Sequence, residues 1–157
     1  SCGVCGKGAI EQVAVDAPPA TAGPAVARAL LAALPEQLRQ PGFERTGGMH
    51  ATGLFSAEGE LICVREDVGR HNAMDKVIGR ALLDGGLPLG GKVLCVSGRI
   101  SFELVQKAAV AGAPILVGVG APTSLAVELA AERGMTLAAF ARGDRVVVYT
   151  DDGRVSD

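Results

Sequence analysis

The sequence predicts an α/β domain of three layers around a mixed sheet. Apolar strands begin near Val93, Ile115 and Leu137, each 22 residues after the last. The runs Val93-Leu94-Cys95-Val96 and Ile115-Leu116-Val117-Gly118-Val119 lack polar alternation, as parallel strands covered on both faces do. Helical patterns over 101–111 and 124–133 separate these strands, and that spacing is the signature of βαβ units.

The elements follow in chain order. An Ala/Pro-rich connector, 14–23, precedes a helical pattern in which Pro24 suits a first-turn position and Val26, Leu30, Leu31 and Leu34 share one face. Pro35 is expected to break or kink it. Residues 49–56 and 60–65 read as a hairpin around Ala57-Glu58-Gly59. A helix over 70–83 is expected to bury Ala73, Met74, Val77, Ile78, Ala81 and Leu82. Three βα units then lead through a strand at 137–140 to the turn Arg142-Gly143-Asp144 and a last strand, 145–150. The expected division is a loop and connector over 1–23 and one α/β cofactor-binding domain over 24–157.

Composition sets limits. The chain has 157 residues, 48% of them apolar, enough for one buried core. The longest apolar stretch, Val110 to Pro122, is interrupted by Gly112, Pro114, Gly118 and Gly120, so no membrane span is expected. A net charge of −2 offers no basic footprint for nucleic acid. No signal-peptide pattern is present, so a soluble, cytoplasmic protein is expected. The start at Ser1, without an initiator methionine, suggests a piece of something longer.

Ligands of such a sheet bind outside the carboxyl ends of its parallel strands, where helix N-termini point free N–H groups outward. Three loops there carry unusual residues: 66–72 (Glu-Asp-Val-Gly-Arg-His-Asn), 97–101 (Ser-Gly-Arg-Ile-Ser) and 120–124 (Gly-Ala-Pro-Thr-Ser). Singly, Ser101, Thr123 and Ser124 are explained as N-caps and Asp67 with Arg70 as a surface pair. Together the loops point to a phosphate or nucleotide site.

The chain opens with a second feature, Cys2-Gly3-Val4-Cys5-Gly6-Lys7-Gly8. Glycines at 3, 6 and 8 disfavour the strand-to-helix context of a thioredoxin-type site. The alternatives are a zinc knuckle, a disulfide, or a loop carrying sulfur chemistry. Zinc needs four ligands. The other candidates, Cys63, Cys95, His50 and His71, show no second ligand spacing, and the two cysteines lie in apolar runs as core residues do.

The segments Cys2 to Gly6, Thr46-Gly47-Gly48-Met49-His50-Ala51, Glu66 to Lys76 (EDVGRHNAMDK), Ser97-Gly98-Arg99, Phe102 to Lys107 and Phe140 to Thr150, in this order, resemble the formate dehydrogenase accessory sulfurtransferase (FdhD) family. Members of that family carry a further N-terminal region, so the resemblance is to their C-terminal catalytic domain. It implies a cytidine deaminase-like fold without the deaminase zinc. It implies a sulfurtransferase that takes persulfide sulfur from a cysteine desulfurase and passes it to the bis(molybdopterin guanine dinucleotide) cofactor of formate dehydrogenase. Cys2 would carry the persulfide and Cys5 assist, an order that spacing alone does not give. The family's cofactor segment corresponds to Phe140, Ala141, Arg142, Gly143, Asp144 and Arg145, with Phe140 suited to a guanine or pterin plane, Asp144 to a guanine N–H, and Arg142 and Arg145 to pyrophosphate. His50, Asp67, Arg70, His71 and Arg99 are expected to line the same crevice. A homodimer is also implied. The competing functions are a cofactor-binding chaperone without thiol chemistry, a deaminase-like hydrolase, and a zinc-knuckle binding domain.

Overall fold

A computed structural model describes residues 15–20 and 23–157. Cys2 and Cys5 lie outside the described residues. Eight strands and five α-helices follow one another as β1 (Val26–Ala27), α1 (Arg28–Ala33), α2 (Pro41–Thr46), β2 (His50–Phe55), β3 (Leu61–Asp67), α3 (Arg70–Leu83), β4 (Val93–Val96), α4 (Phe102–Val110), β5 (Ile115–Gly118), α5 (Ser124–Glu132), β6 (Thr136–Arg142), β7 (Arg145–Thr150) and β8 (Val155–Ser156). A 3-10 turn, Leu34–Leu38, extends α1 with Pro35 in its first turn, the kink expected there.

The main sheet runs β3-β2-β4-β5-β6-β7. Its centre, β4-β5-β6, is parallel, and β2 and β7 join it antiparallel. This is the mixed sheet expected from the sequence, and it has three layers. Met74, Val77 and Ala81 of α3, Leu104 and Ala108 of α4, and Leu129 and Ala130 of α5 pack with Leu94, Leu116 and Leu137 on one face. Leu31, Leu34 and Leu38 pack with Phe55, Val93, Cys95 and Val117 on the other. The strand side chains alternate between these two cores, so β4 and β5 are buried along their whole length.

Four expectations are corrected. The first helix begins at Arg28, because Val26 and Ala27 are extended and pair in parallel with Val155 and Ser156, and the Val26 N–H donates to the Arg154 carbonyl at 2.7 Å. Of the three strands expected to form βα units, only β4 and β5 are followed by helices, since β6 turns directly into antiparallel β7 through Gly143, at φ 61°. The buried stripe of α3 ends at Ala81; Leu82 is 62% exposed on the solvent side. The short helix α2 and the strands β1 and β8 had no clear pattern in the sequence. Of the expected connector, residues 15–20 lie against the domain: Ala17 is in the core beside α4 and α5, the Ala20 N–H donates to the Arg133 carbonyl at 2.7 Å, and Arg133 donates to the Ala17 carbonyl.

Phe55 fills the core under α1 and is fully buried. Gly53 makes room for it, because a Cβ there would come within 2.6 Å of the Phe55 ring and 2.7 Å of Leu38. Replacing Phe55 by Ala is therefore expected to cost about 3–5 kcal/mol, read as a lower urea midpoint at unchanged m-value.

Candidate functional site

The antiparallel pairing of β2 places its first residue, His50, beside the carboxyl end of β4. Thr52 faces Val96, and the pairing continues as a reciprocal clasp: the Ser97 N–H donates to the Ala51 carbonyl at 3.0 Å and the Ala51 N–H to Ser97 Oγ at 2.9 Å. Ser97 Oγ also lies 3.4 Å from His50 Nδ1. Gly98 comes next, where a Cβ would stand 3.2 Å from His50 Nδ1 and 3.4 Å from Arg70 Cδ. His50 and Arg70 thus converge over a residue without a side chain. Arg70 Nε is buried there and has no hydrogen-bond partner among the described residues.

Arg99 continues this loop and lies across the end of β5. A Cβ at Gly120 would be 2.8 Å from the Arg99 backbone N, so glycine is what lets the two loops touch. Parallel bridging of Ile100 with Pro122 locks them together. Thr123 caps α5 as expected, accepting from the Ala126 N–H at 3.2 Å. Ser101 occupies the N-cap position of α4 but makes no side-chain cap bond. Its hydroxyl instead lies 3.2 Å from His71 Nε2 and hydrogen-bonds Glu103. Glu103 Oε2 is 3.8 Å from the same His71 nitrogen. Because both groups meet one ring nitrogen, this is not a Ser-His-Glu relay, which needs the two nitrogens of the ring on different partners.

Electrostatics sharpen these roles. Burial, reinforced by the neighbouring Arg70 charge, pushes the His71 imidazole below its ordinary 6.5, so it is neutral near neutral pH. For Glu103, burial works upward but is outweighed by the Ser101 hydroxyl, a backbone N–H, His71 and Arg70, and the carboxyl titrates below its usual range. Asp67 is held down to about 2 by Lys76, at 2.6 Å, and by the Gly69 N–H, at 2.9 Å, with Asn72 adding a third contact at 3.2 Å. Asp67 is thereby a strut between β3 and α3, occupied by its own neighbours. Its contribution to stability is in place above 3.8 and is lost as pH falls through about 2.

On the opposite face of the sheet, the same edge opens into a groove of about 660 Å³. That volume lies in the range of small-molecule sites. Leu38, Ala51 and Ala141 are buried residues of its lining; its polar groups come from Glu36, Arg39, His50, Ser97 and Arg142, so one carboxylate stands among two arginines, and Gly143 completes the lining beside Arg142. Of the residues expected to form one crevice, His50, Ala141, Arg142 and Gly143 line this groove. Asp67, Arg70, His71, Arg99, Phe140, Asp144 and Arg145 are not among its lining residues. Phe140 sits in a bulge of β6 with φ 54°, the one non-glycine among the described residues at positive φ, and is 47% exposed. The bulge turns Ala141 into the core and leaves the phenylalanine ring outside.

The sequence gives Phe43 no role in a site and places Glu66 only within the 66–72 loop. Phe43, on α2, forms a wall of the groove. Its signal was an aromatic residue just after Pro41-Gly42 in a chain with four Phe, one Tyr and no Trp. Cys63 packs against the α3 side of the sheet and Cys95 lies buried on the other, where burial raises its thiol above the range in which a thiolate forms. Cys95 is a core residue and Cys63 is half-buried against the other core, with the sheet between them. Among the described residues no group of three or more potential metal ligands occurs, and no helix is long and apolar enough to cross a membrane.

The FdhD/NarQ family model matches residues 1–156. The chain belongs to the FdhD/NarQ family. It is 53% identical to the sulfur carrier protein FdhD of Streptomyces avermitilis and 55% identical to that of Mycobacterium tuberculosis, in each case over 99% of this chain and 57% or 58% of the relative. The archaeal FdhD of Saccharolobus solfataricus is 45% identical over 99% of this chain and 60% of its own. The crystal structure of a protein assigned as a formate dehydrogenase accessory protein from Desulfotalea psychrophila superposes with a TM-score of 0.78 at 32% identity, over 89% of this chain and 60% of that one. The chain thus spans about three fifths of the length of the FdhD proteins it matches.

The His71 environment yields a pH prediction. Its folded value is lowered, so the unfolded chain takes up the proton first and stability falls as pH drops below about 6.5. NMR titration should place the His71 midpoint below 6.5, and His71→Gln should flatten the stability slope in that window. A midpoint above 6.5 would show that Glu103, not burial, governs the ring.

Proposed function

We propose that this chain is the sulfur-carrying and cofactor-binding portion of a formate dehydrogenase accessory protein. It accepts persulfide sulfur from a cysteine desulfurase and delivers it to the bis(molybdopterin guanine dinucleotide) cofactor destined for formate dehydrogenase. The observation that carries this reading is the groove at the carboxyl edge of the sheet. It combines apolar walls, two arginines and His50 in a volume suited to a nucleotide, within a family whose curated members are named sulfur carriers.

The chemistry assigns each part. A carrier thiolate attacks the outer sulfur of the donor persulfide, the donor S–S bond breaks, and the donor leaves as a thiolate. On delivery the acceptor supplies the electron pair of the new bond to the outer sulfur, and the carrier S–S bond breaks with its pair returning to the carrier thiolate. Cys2 is the proposed carrier and Cys5 its assistant. Residues 15–20 support the required reach. Val15 donates its N–H to Gln106 Oε1 at 2.8 Å, and Gln106 lies five residues along α4 from Ser101, about 8 Å at the helical rise. Val15 follows Cys5 by ten positions, and a chain of ten residues spans up to about 35 Å. From this anchor the thiols can reach either face of the edge.

In the groove, Arg142 presents forked donors to a pyrophosphate and Gly143 lets backbone approach it. His50, supported by Ser97, is placed to hold or move a proton beside the bound cofactor. Asp144 and Arg145 flank the mouth in sequence and are assigned to the guanine edge and to longer-range attraction. The hairpin leading into parallel strands agrees with a cytidine deaminase-like arrangement, and homodimerisation and a cytoplasmic setting complete the proposal. The competing reading is a chaperone that holds the same cofactor without thiol chemistry, for which the groove alone would suffice.

Two measurements test these parts separately. Incubation with a cysteine desulfurase and cysteine should add reductant-sensitive mass in steps of about 32 Da, largely abolished by Cys2→Ala. Full loading of a Cys2→Ala, Cys5→Ala double variant would favour the chaperone. For the groove, Arg142→Ala should weaken guanosine diphosphate binding by about 1.5–3 kcal/mol in calorimetry, the range of a lost charge-assisted hydrogen bond. Arg145→Ala, outside the lining, should cost less than about 0.5 kcal/mol.

A further inference from the structure

The groove wall formed by α2 has unusual construction. None of the six residues of Pro41–Thr46 is buried, so no apolar anchor holds this helix to the domain. Its attachment is polar. Glu66, at the end of β3, accepts from the first free N–H groups of the helix, Gly42 to Oε2 at 3.0 Å and Phe43 to Oε1 at 2.8 Å. The fit is close: a Cβ at residue 42 would stand 2.4 Å from Glu66 Oε2, so a side chain there would displace the carboxylate from this position. The strand end that carries Glu66 is itself fixed, because Lys76 donates to the Glu66 carbonyl at 2.9 Å while pairing with Asp67. At its other end α2 stops at Gly47, whose φ of 63° gives an αL cap, with the Gly47 N–H donating to the Phe43 carbonyl at 2.7 Å.

This construction holds one side chain where it would not otherwise stay. Phe43 is 48% exposed and lines the groove together with Val119 and Arg142. About half of the phenylalanine surface is left uncovered by the protein. It offers a ring face to whatever enters the groove. The 140–145 segment lacks this feature on the groove side, since Phe140 is not among the lining residues.

We propose that Phe43 is the residue on which the planar ring of a bound nucleotide stacks, and that Glu66 is its positioning residue. The inference rests on the nucleotide reading of the groove and deepens it. The ligand class is a heteroaromatic ring carrying a diphosphate, with Phe43 taking the ring face and Arg142 the charge. Stacking on an aromatic side chain depends on the face rather than on a particular edge of the base. Phe43 therefore sets affinity for the ring, and Arg142 sets affinity for the diphosphate.

The test uses the full chain and guanosine diphosphate in calorimetry. Phe43→Leu, which keeps the apolar volume but removes the ring, should weaken binding roughly ten- to hundredfold, and Phe43→Tyr should restore it to within about threefold. Glu66→Ala should weaken binding and speed hydrogen exchange at the Gly42 and Phe43 amides. In a Phe43→Leu background it should change affinity no further, because Glu66 acts through Phe43. Unchanged affinity in Phe43→Leu, with the wild type binding, overturns the stacking role and leaves the nucleotide reading standing. Additive losses in the double variant overturn the positioning role of Glu66. No binding by the wild type overturns the nucleotide reading and this inference with it.

Discussion

The clasp between Ala51 and Ser97 is the contact on which the candidate site depends. Two hydrogen bonds, at 2.9 and 3.0 Å, continue the β2–β4 pairing one residue beyond β4. Through them an antiparallel strand is brought into a sheet whose centre is parallel, and its first residue arrives at the carboxyl edge. Strand side chains alternate with a period of two, so a slip of one residue would send His50 to the other face and Phe55 out of its core. The apolar fit of Phe55 against Gly53 and Leu38 makes that slip costly. Core packing in the middle of β2 thus fixes the chemistry at its end.

From the clasp outward, the edge divides into two faces with different characters. On the helical face, His71, Ser101, Glu103 and the buried Nε of Arg70 form a compact, partly desolvated polar cluster. On the other face, the groove is apolar with a few polar groups. Ser97 and Gly98 lie between the two, and the absence of a side chain at Gly98 is what lets Arg70 approach His50. The strut of Asp67 and Lys76 keeps β3 in place without offering either charge to a ligand, and Glu66, one residue earlier, turns the same strand end into support for the groove wall.

The parallel centre of the fold was legible because the strands are short, apolar on both faces, and spaced by helices of ordinary length. The stripe of α3 was legible to Ala81 by its periodicity. What the sequence did not disclose was held by tertiary contacts. Val26 has the spacing of a helical residue but pairs with the chain terminus, through a backbone bond that no local pattern encodes. In α2 there is no apolar stripe to read, since its one attachment is a carboxylate 24 residues away. Ser101 looked like a cap and stands at the cap position, yet its hydroxyl is used by His71 and Glu103. For the site, the sequence pointed to the carboxyl edge and could not assign residues to its two faces. That assignment depends on the bulge at Phe140, which brings Ala141 and Arg142 to the groove and leaves the aromatic ring outside its lining.

The central claim is that the carboxyl edge, on its groove face, is where the nucleotide part of the cofactor binds. Amide NMR of the isotopically labelled chain, titrated with guanosine diphosphate, tests it most directly. The account predicts saturable shifts centred on the amides of Phe43, Gly48, Ser97 and Gly143, with little change over α5 and over residues 84–92 at the opposite edge. Shifts concentrated at that opposite edge, or on the helical face around His71 without the groove, would contradict it.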